Sequence, residues 1–128
     1  MQWKASLPDG CPPENSIFCH GSVYRLIAGK KPSYEDFESW REKNDGKTCP
    51  VGISECQSCG VSVYRNKDDI LSLIKRIPKF KKNNPNIAKG NLRKEHGKIL
   101  STPTKNEVSH CTWWLNSNTD PSEDFIAI

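Results

Sequence analysis

The run Gly60-Val61-Ser62-Val63-Tyr64-Arg65-Asn66-Lys67-Asp68-Asp69-Ile70-Leu71-Ser72-Leu73-Ile74-Lys75-Arg76-Ile77-Pro78 changes its hydrophobic period part-way along. Val61 and Val63 alternate with Ser62 and Tyr64, the pattern of a strand with one face on a core. From Asn66 onward the apolar positions are Ile70, Leu73, Ile74 and Ile77, which is i, i+3, i+4, i+7 spacing and lines one side of a helix. Asn66 is a good N-cap, Asp68 and Asp69 favour the positive end of the helix dipole, and Pro78 stops the helix. A short strand therefore feeds a helix.

Working outward, residues 22–27 (Ser-Val-Tyr-Arg-Leu-Ile) form an earlier strand, closed by Ala28-Gly29-Lys30-Lys31-Pro32. Ser33 followed by Asp36 is close to a capping box and starts a first helix, with Tyr34, Phe37 and Trp40 on one side. Asn44, Asp45 and Gly46 end it, and residues 47–60 read as a loop. Beyond Pro78 the stretches 86–92, 98–102, 108–115 and 125–128 read as strands, punctuated by Gly90, Gly97, Pro103 and Pro121. Residues 79–86 are a Lys/Asn-rich tract with no element assigned. The expectation is an irregular N-terminal arm over residues 1–16 and a single small α+β domain over residues 17–128. That domain has about six mostly antiparallel strands and two helices.

Composition narrows the function classes. Among 128 residues, four Trp, four Phe and three Tyr argue for a packed core although only 34% are hydrophobic. No apolar run reaches the roughly 18 residues of a membrane span, so no membrane partner is expected. The first ten residues lack the apolar stretch of a signal peptide, which makes a cytoplasmic location, and reduced thiols or a metal, the expectation for the six cysteines. Charge is unevenly spread. From Lys75 to Lys98, nine Lys and Arg face Glu95 alone, a local charge of +8 within a net +4, so the remainder sums to −4.

Four constellations carry possible chemistry. Cys56-Gln57-Ser58-Cys59-Gly60 resembles a zinc knuckle, with Cys49 a third thiolate and Cys111, His110, Cys19 or His20 a fourth ligand. The competing readings are a redox or disulfide pair, or loop and core cysteines with no role. Arg25 lies in an apolar strand, where a guanidinium must either bridge to a carboxylate such as Asp36 or Glu35 or hold an anion in a cleft. Ser62 shares its strand face with Tyr64, and would line the same cleft if its strand adjoins that of Arg25. His110 lies with Thr112 and Trp114 on one face of the strand that carries Trp113 on the other. It is read as a structural imidazole or as a ligand, base or substrate contact.

The order of these pieces resembles the ADP-ribosyltransferase-like fold. Val23-Tyr24-Arg25 stands on an early strand, a helix follows, and Gly60-Val61-Ser62-Val63-Tyr64 then runs into the helix of residues 68–77. In the family's Arg-Ser-Glu branch the Arg contacts the phosphate and ribose of NAD and the Ser shapes the nicotinamide pocket. A Glu ahead of a late strand is catalytic. The resemblance implies NAD or a related phosphorylated nucleotide as ligand, with Arg25, Ser62 and Tyr64 contacting it. Arg25, Ser62, Glu107 and His110 form the candidate catalytic set. The chain departs from the pattern in having no Glu-x-Glu, and Glu107 is the nearest match to the third position. Two other classes compete. One is nucleic-acid binding by Lys75, Arg76, Lys79, Lys81, Lys82, Lys89, Arg93 and Lys94, with Phe80 interleaved. The other is a zinc-stabilised protein-interaction module built on Cys49, Cys56, Cys59 and Cys111.

Overall fold

The computed structural model describes all residues, 1–128. Seven strands form one sheet: β1 (Ile17–Phe18), β2 (Gly21–Ile27), β3 (Val61–Tyr64), β4 (Asn86–Leu92), β5 (Gly97–Ser101), β6 (His110–Leu115) and β7 (Phe125–Ala127). Their order is β1-β5-β6-β3-β2-β4-β7, every neighbouring pair antiparallel. The helices are α1 (Trp40–Lys43), α2 (Glu55–Ser58), α3 (Lys67–Arg76) and α4 (Pro78–Asn83), with 3₁₀ turns at Tyr34–Phe37, Lys94–His96 and Pro121–Asp124. The α+β class and the antiparallel sheet are as expected.

The sheet is two leaves with a weak seam. β2 pairs with β4 from Gly21↔Leu92 to Ile27↔Asn86, and β3 pairs with β6 from Val61↔Trp113 to Tyr64↔His110. Between the leaves, β2 and β3 are in register only at Tyr24↔Tyr64. Past that pair the strands diverge, leaving the seam-facing backbone groups of Leu26 and Ser62 without the partners a continuous ladder would supply.

The apolar face of β3 packs as its alternation requires. Val61 and Val63 join Val23, Ile27, Phe37, Ile99, Trp113 and Phe125 in the main core. Trp113 stacks on Phe125 with ring centres 6.0 Å apart, and Phe37 meets both rings. On the other side, Ile70 and Leu73 of α3 close over Tyr64 and Ile87. Fully burying each of those two aliphatic side chains contributes about 1.5–3 kcal/mol, which holds α3 to the sheet.

Local structure departs from the expectation in three places. The first helix is interrupted: Ser33 and Asp36 form their capping box, but the turn is 3₁₀ and a second box, Ser39 with Glu42, starts α1. Pro78 ends α3 and also begins α4, as its missing N–H costs nothing at the first helical position. Left-handed Asn84, ahead of Pro85, ends α4. Finally, Cys56 lies in the one-turn helix α2 and forms a disulfide with Cys11, tying the N-terminal arm to the body. No helix is long and apolar enough to cross a membrane.

Candidate functional site

Arg25 sits at the seam. Strand alternation places it on the face of Val23 and Ile27, above the Phe37 ring at 5.8 Å. Where β2 and β3 part, its guanidinium reaches into the gap. Nε donates to the Asp36 carbonyl at 2.8 Å and Nη1 to the Ser62 carbonyl at 2.7 Å. It is not bridged to a carboxylate: the Asp36 carboxylate instead accepts from the Ala28 and Ser33 N–H groups. Burial lowers the pKa of Arg25 to about 10, with nearby Asp36 opposing the shift. Nη2 makes no hydrogen bond within the chain and is not sealed from solvent. A partly desolvated cation with free donors is thus presented to a cleft.

That cleft has two lobes, about 870 and 610 Å³, which share Arg25, Lys43, Ser62 and Lys79. Leu26, Tyr64, Leu73, Ile77 and Phe80 supply an apolar wall in the larger lobe. Trp40, Thr104, His110 and Thr112 line the smaller one. Three cations face Glu35 and Asp36 in the first lobe and Glu38 in the second, so each lobe is net positive beside an apolar surface.

Ser62 and His110 approach from the opposite face of the sheet to Arg25, as diagonal neighbours on β3 and β6. Ser62 Oγ lies 2.9 Å from His110 Nε2. His110 Nδ1 lies 2.8 Å from the Thr102 carbonyl, which can only accept, so Nδ1 carries the proton and Nε2 accepts from the Ser62 hydroxyl. Burial holds the His110 pKa below its usual value, while the Thr102 carbonyl and Glu107 oppose that shift. Thr102 Oγ1 extends the chain to Thr112 Oγ1 at 2.8 Å.

Arg25, Ser62, Tyr64 and His110 therefore meet at one cleft. Glu107 does not. It is buried, ion-paired with Arg76 of α3, and absent from the lining of either lobe, with Oε2 left without a partner. The carboxylate just before β6 closes α3 against the sheet rather than facing Arg25.

The four-thiolate set Cys49, Cys56, Cys59 and Cys111 is corrected by the disulfide. Cys56 is spent on Cys11, Cys111 is buried on β6 beside Ser109 and Arg65, and no three potential ligands cluster. Cys49 donates to Glu55, which Arg41 grips with two bonds of 2.7 Å. Gly60, read as the turn residue of a knuckle, has another cause: a Cβ there would collide with the Thr112 side chain.

Several of the basic residues have partners within the chain. Arg76 is taken by Glu107, while Arg93 binds Glu95 and Asp124. Lys89 lies over Tyr24, Lys94 and Lys98 lie over Phe18, and Lys79 lies over Phe80 at the cleft. Lys75, Lys81 and Lys82 belong to α3 and α4, separated from Arg93 and Lys94 by the whole of β4.

Comparison with protein-family models, curated proteins and solved structures finds no match to this chain.

Sequence reasoning missed Lys43, Phe80 and Thr102 as site residues. Phe80 enters the cleft on α4. The Pro78 start and the Asn84-Pro85 end were readable signals for that helix, hidden by the lysines between them.

Proposed function

We propose that the cleft at the seam binds NAD or a related phosphorylated nucleotide. The observation that carries this reading is Arg25: a half-buried guanidinium, fixed by two backbone carbonyls, with unused donors in a net-positive cleft. A cation in that position is stabilised by an anion from outside, and its planar fork suits phosphate oxygens. The apolar wall of Tyr64, Ile77 and Phe80 offers a surface for a base or nicotinamide ring. The order of Arg25 strand, Ser62 strand and helix, which resembles ADP-ribosyltransferases, supports the same ligand class. The pairing of Glu107 with Arg76 favours binding over ADP-ribosyl transfer. The Cys11–Cys56 disulfide weighs toward an oxidising compartment rather than the cytoplasm.

Titration calorimetry with millimolar NAD, AMP and inorganic pyrophosphate on wild type and Arg25→Ala tests the reading. Heat with wild type that disappears in the variant supports it. No heat for any of the three phosphates with folded wild type overturns it.

A further inference from the structure

A serine on an exposed strand position needs no histidine. Ser62 is exposed, yet its hydroxyl is aimed at a buried imidazole rather than left to water. His110 in turn is fixed at both ring nitrogens, with the Thr102 carbonyl selecting the tautomer whose Nε2 lone pair faces Ser62. The Ser62 carbonyl holds Arg25, so the hydroxyl and the guanidinium are set by one residue. The arrangement unites three parts: a hydroxyl nucleophile, an oriented base, and a cation for the charge that develops on an attacked anion. A structural role would account for His110 but not for its alignment on an accessible hydroxyl that shares a cleft with a cation whose donors are free.

We propose that Ser62 is a nucleophile, activated by His110, that attacks a phosphoric ester or anhydride held by Arg25. The choice of a phosphoryl substrate rests on the nucleotide reading above; the nucleophile itself does not. Ser62 Oγ bonds to phosphorus while its proton passes to His110 Nε2. The bond from phosphorus to the leaving oxygen breaks, and His110 gives that oxygen the proton. Ser62 is left as a phosphoester. Water then attacks the same phosphorus, losing its proton to His110, and Ser62 Oγ departs and recovers it. The Thr102 carbonyl stabilises the imidazolium at each stage through Nδ1–H, the part a carboxylate plays in Ser-His-Asp triads. No oxidant or further reactant is needed beyond water.

Diisopropyl fluorophosphate tests the nucleophile independently of the natural ligand, since its phosphorus takes a serine oxygen with loss of fluoride. Peptide mapping by mass spectrometry is expected to find the adduct on Ser62 in wild type. It should be absent in Ser62→Ala, and its formation should slow at least 100-fold in His110→Gln. Folding of each variant is checked by its thermal melt. An unlabelled Ser62 in folded wild type, or unchanged labelling in folded His110→Gln, overturns the proposal. In a second arm, bis(p-nitrophenyl) phosphate and NAD are incubated with wild type and Ser62→Ala. Cleavage of either by wild type, lost in Ser62→Ala, supports phosphoryl chemistry. Labelled Ser62 that cleaves neither overturns the phosphoryl assignment. Calorimetric NAD binding by wild type, read beside the labelling result, separates the two readings: binding without labelling sinks only the nucleophile, and labelling without binding sinks only the nucleotide.

Discussion

Replacing Arg25 with Met separates a ligand-holding cation from a structural one. Methionine keeps the aliphatic stem that packs on Phe37 and removes the charge. Two effects on stability oppose each other. Taking the guanidinium out of water disfavours its charged form and lowers its pKa to about 10. Its bonds to the Asp36 and Ser62 carbonyls, and what water at the open cleft restores, offset that cost. Arg25→Met is therefore expected to shift stability by no more than about 1 kcal/mol, roughly 3–5 °C in melting temperature for a chain of this size. Nucleotide binding has no such compensation. Losing a charge-assisted phosphate contact of about 1.5–3 kcal/mol weakens binding roughly 10- to 150-fold. Differential scanning calorimetry and NAD titration on the same samples read both quantities. A fall in melting temperature beyond about 10 °C would show that Arg25 holds the seam together, and the argument for a ligand site would fail.

Four other perturbations follow from the geometry. Reducing the Cys11–Cys56 disulfide, which spans 45 residues, should cost about 4 kcal/mol by loop entropy, read as a lower denaturation midpoint in urea. Gly90→Ala places a Cβ about 2.5 Å from the Phe125 ring, in the stack with Trp113; a loss of roughly 1–3 kcal/mol is expected by chemical denaturation. Glu107→Gln should leave NAD affinity within about twofold by calorimetry, because Glu107 is outside the cleft. The Asp124 carboxyl is held below its ordinary 3.8 chiefly by the His96 hydrogen bond, so it stabilises the fold above that pH and the contribution is lost as pH falls through the lower folded value. Asp124→Asn should therefore cost about 1 kcal/mol at neutral pH and flatten the acid limb of a stability–pH curve below about pH 4.

Where periodicity governs, the chain could be read. β2, β3, α3, β4 and β6 declare themselves because one face of each is apolar at the proper interval, and that face is in the core or against the sheet. Arg25 and Ser62 were legible as a pair for the same reason, as polar interruptions in apolar strands. The rest depended on distance in sequence. Nothing local in Ser62 or His110 announces that 48 residues of chain return to put them 2.9 Å apart. The placement of Glu107 failed for a related reason: its position before β6 was correct, but the ion pair with Arg76 is settled by how α3 packs. The cysteines were misread because a C-x-x-C spacing says nothing of Cys11, a partner 45 positions away.

The single registered pair at Tyr24↔Tyr64 has a mechanical consequence. Each leaf keeps its own ladder, β2 on β4 and β3 on β6, so the two can rotate slightly about that pair without breaking a ladder. Movement at that joint would widen or narrow the gap around Arg25, at the expense of the Arg25–Ser62 hydrogen bond that crosses it. Amide protons inside the leaves would then exchange with deuterium slowly and as two separate groups, while those of Leu26 and Ser62, which face the gap, exchange faster in the empty protein and slow when the cleft is filled.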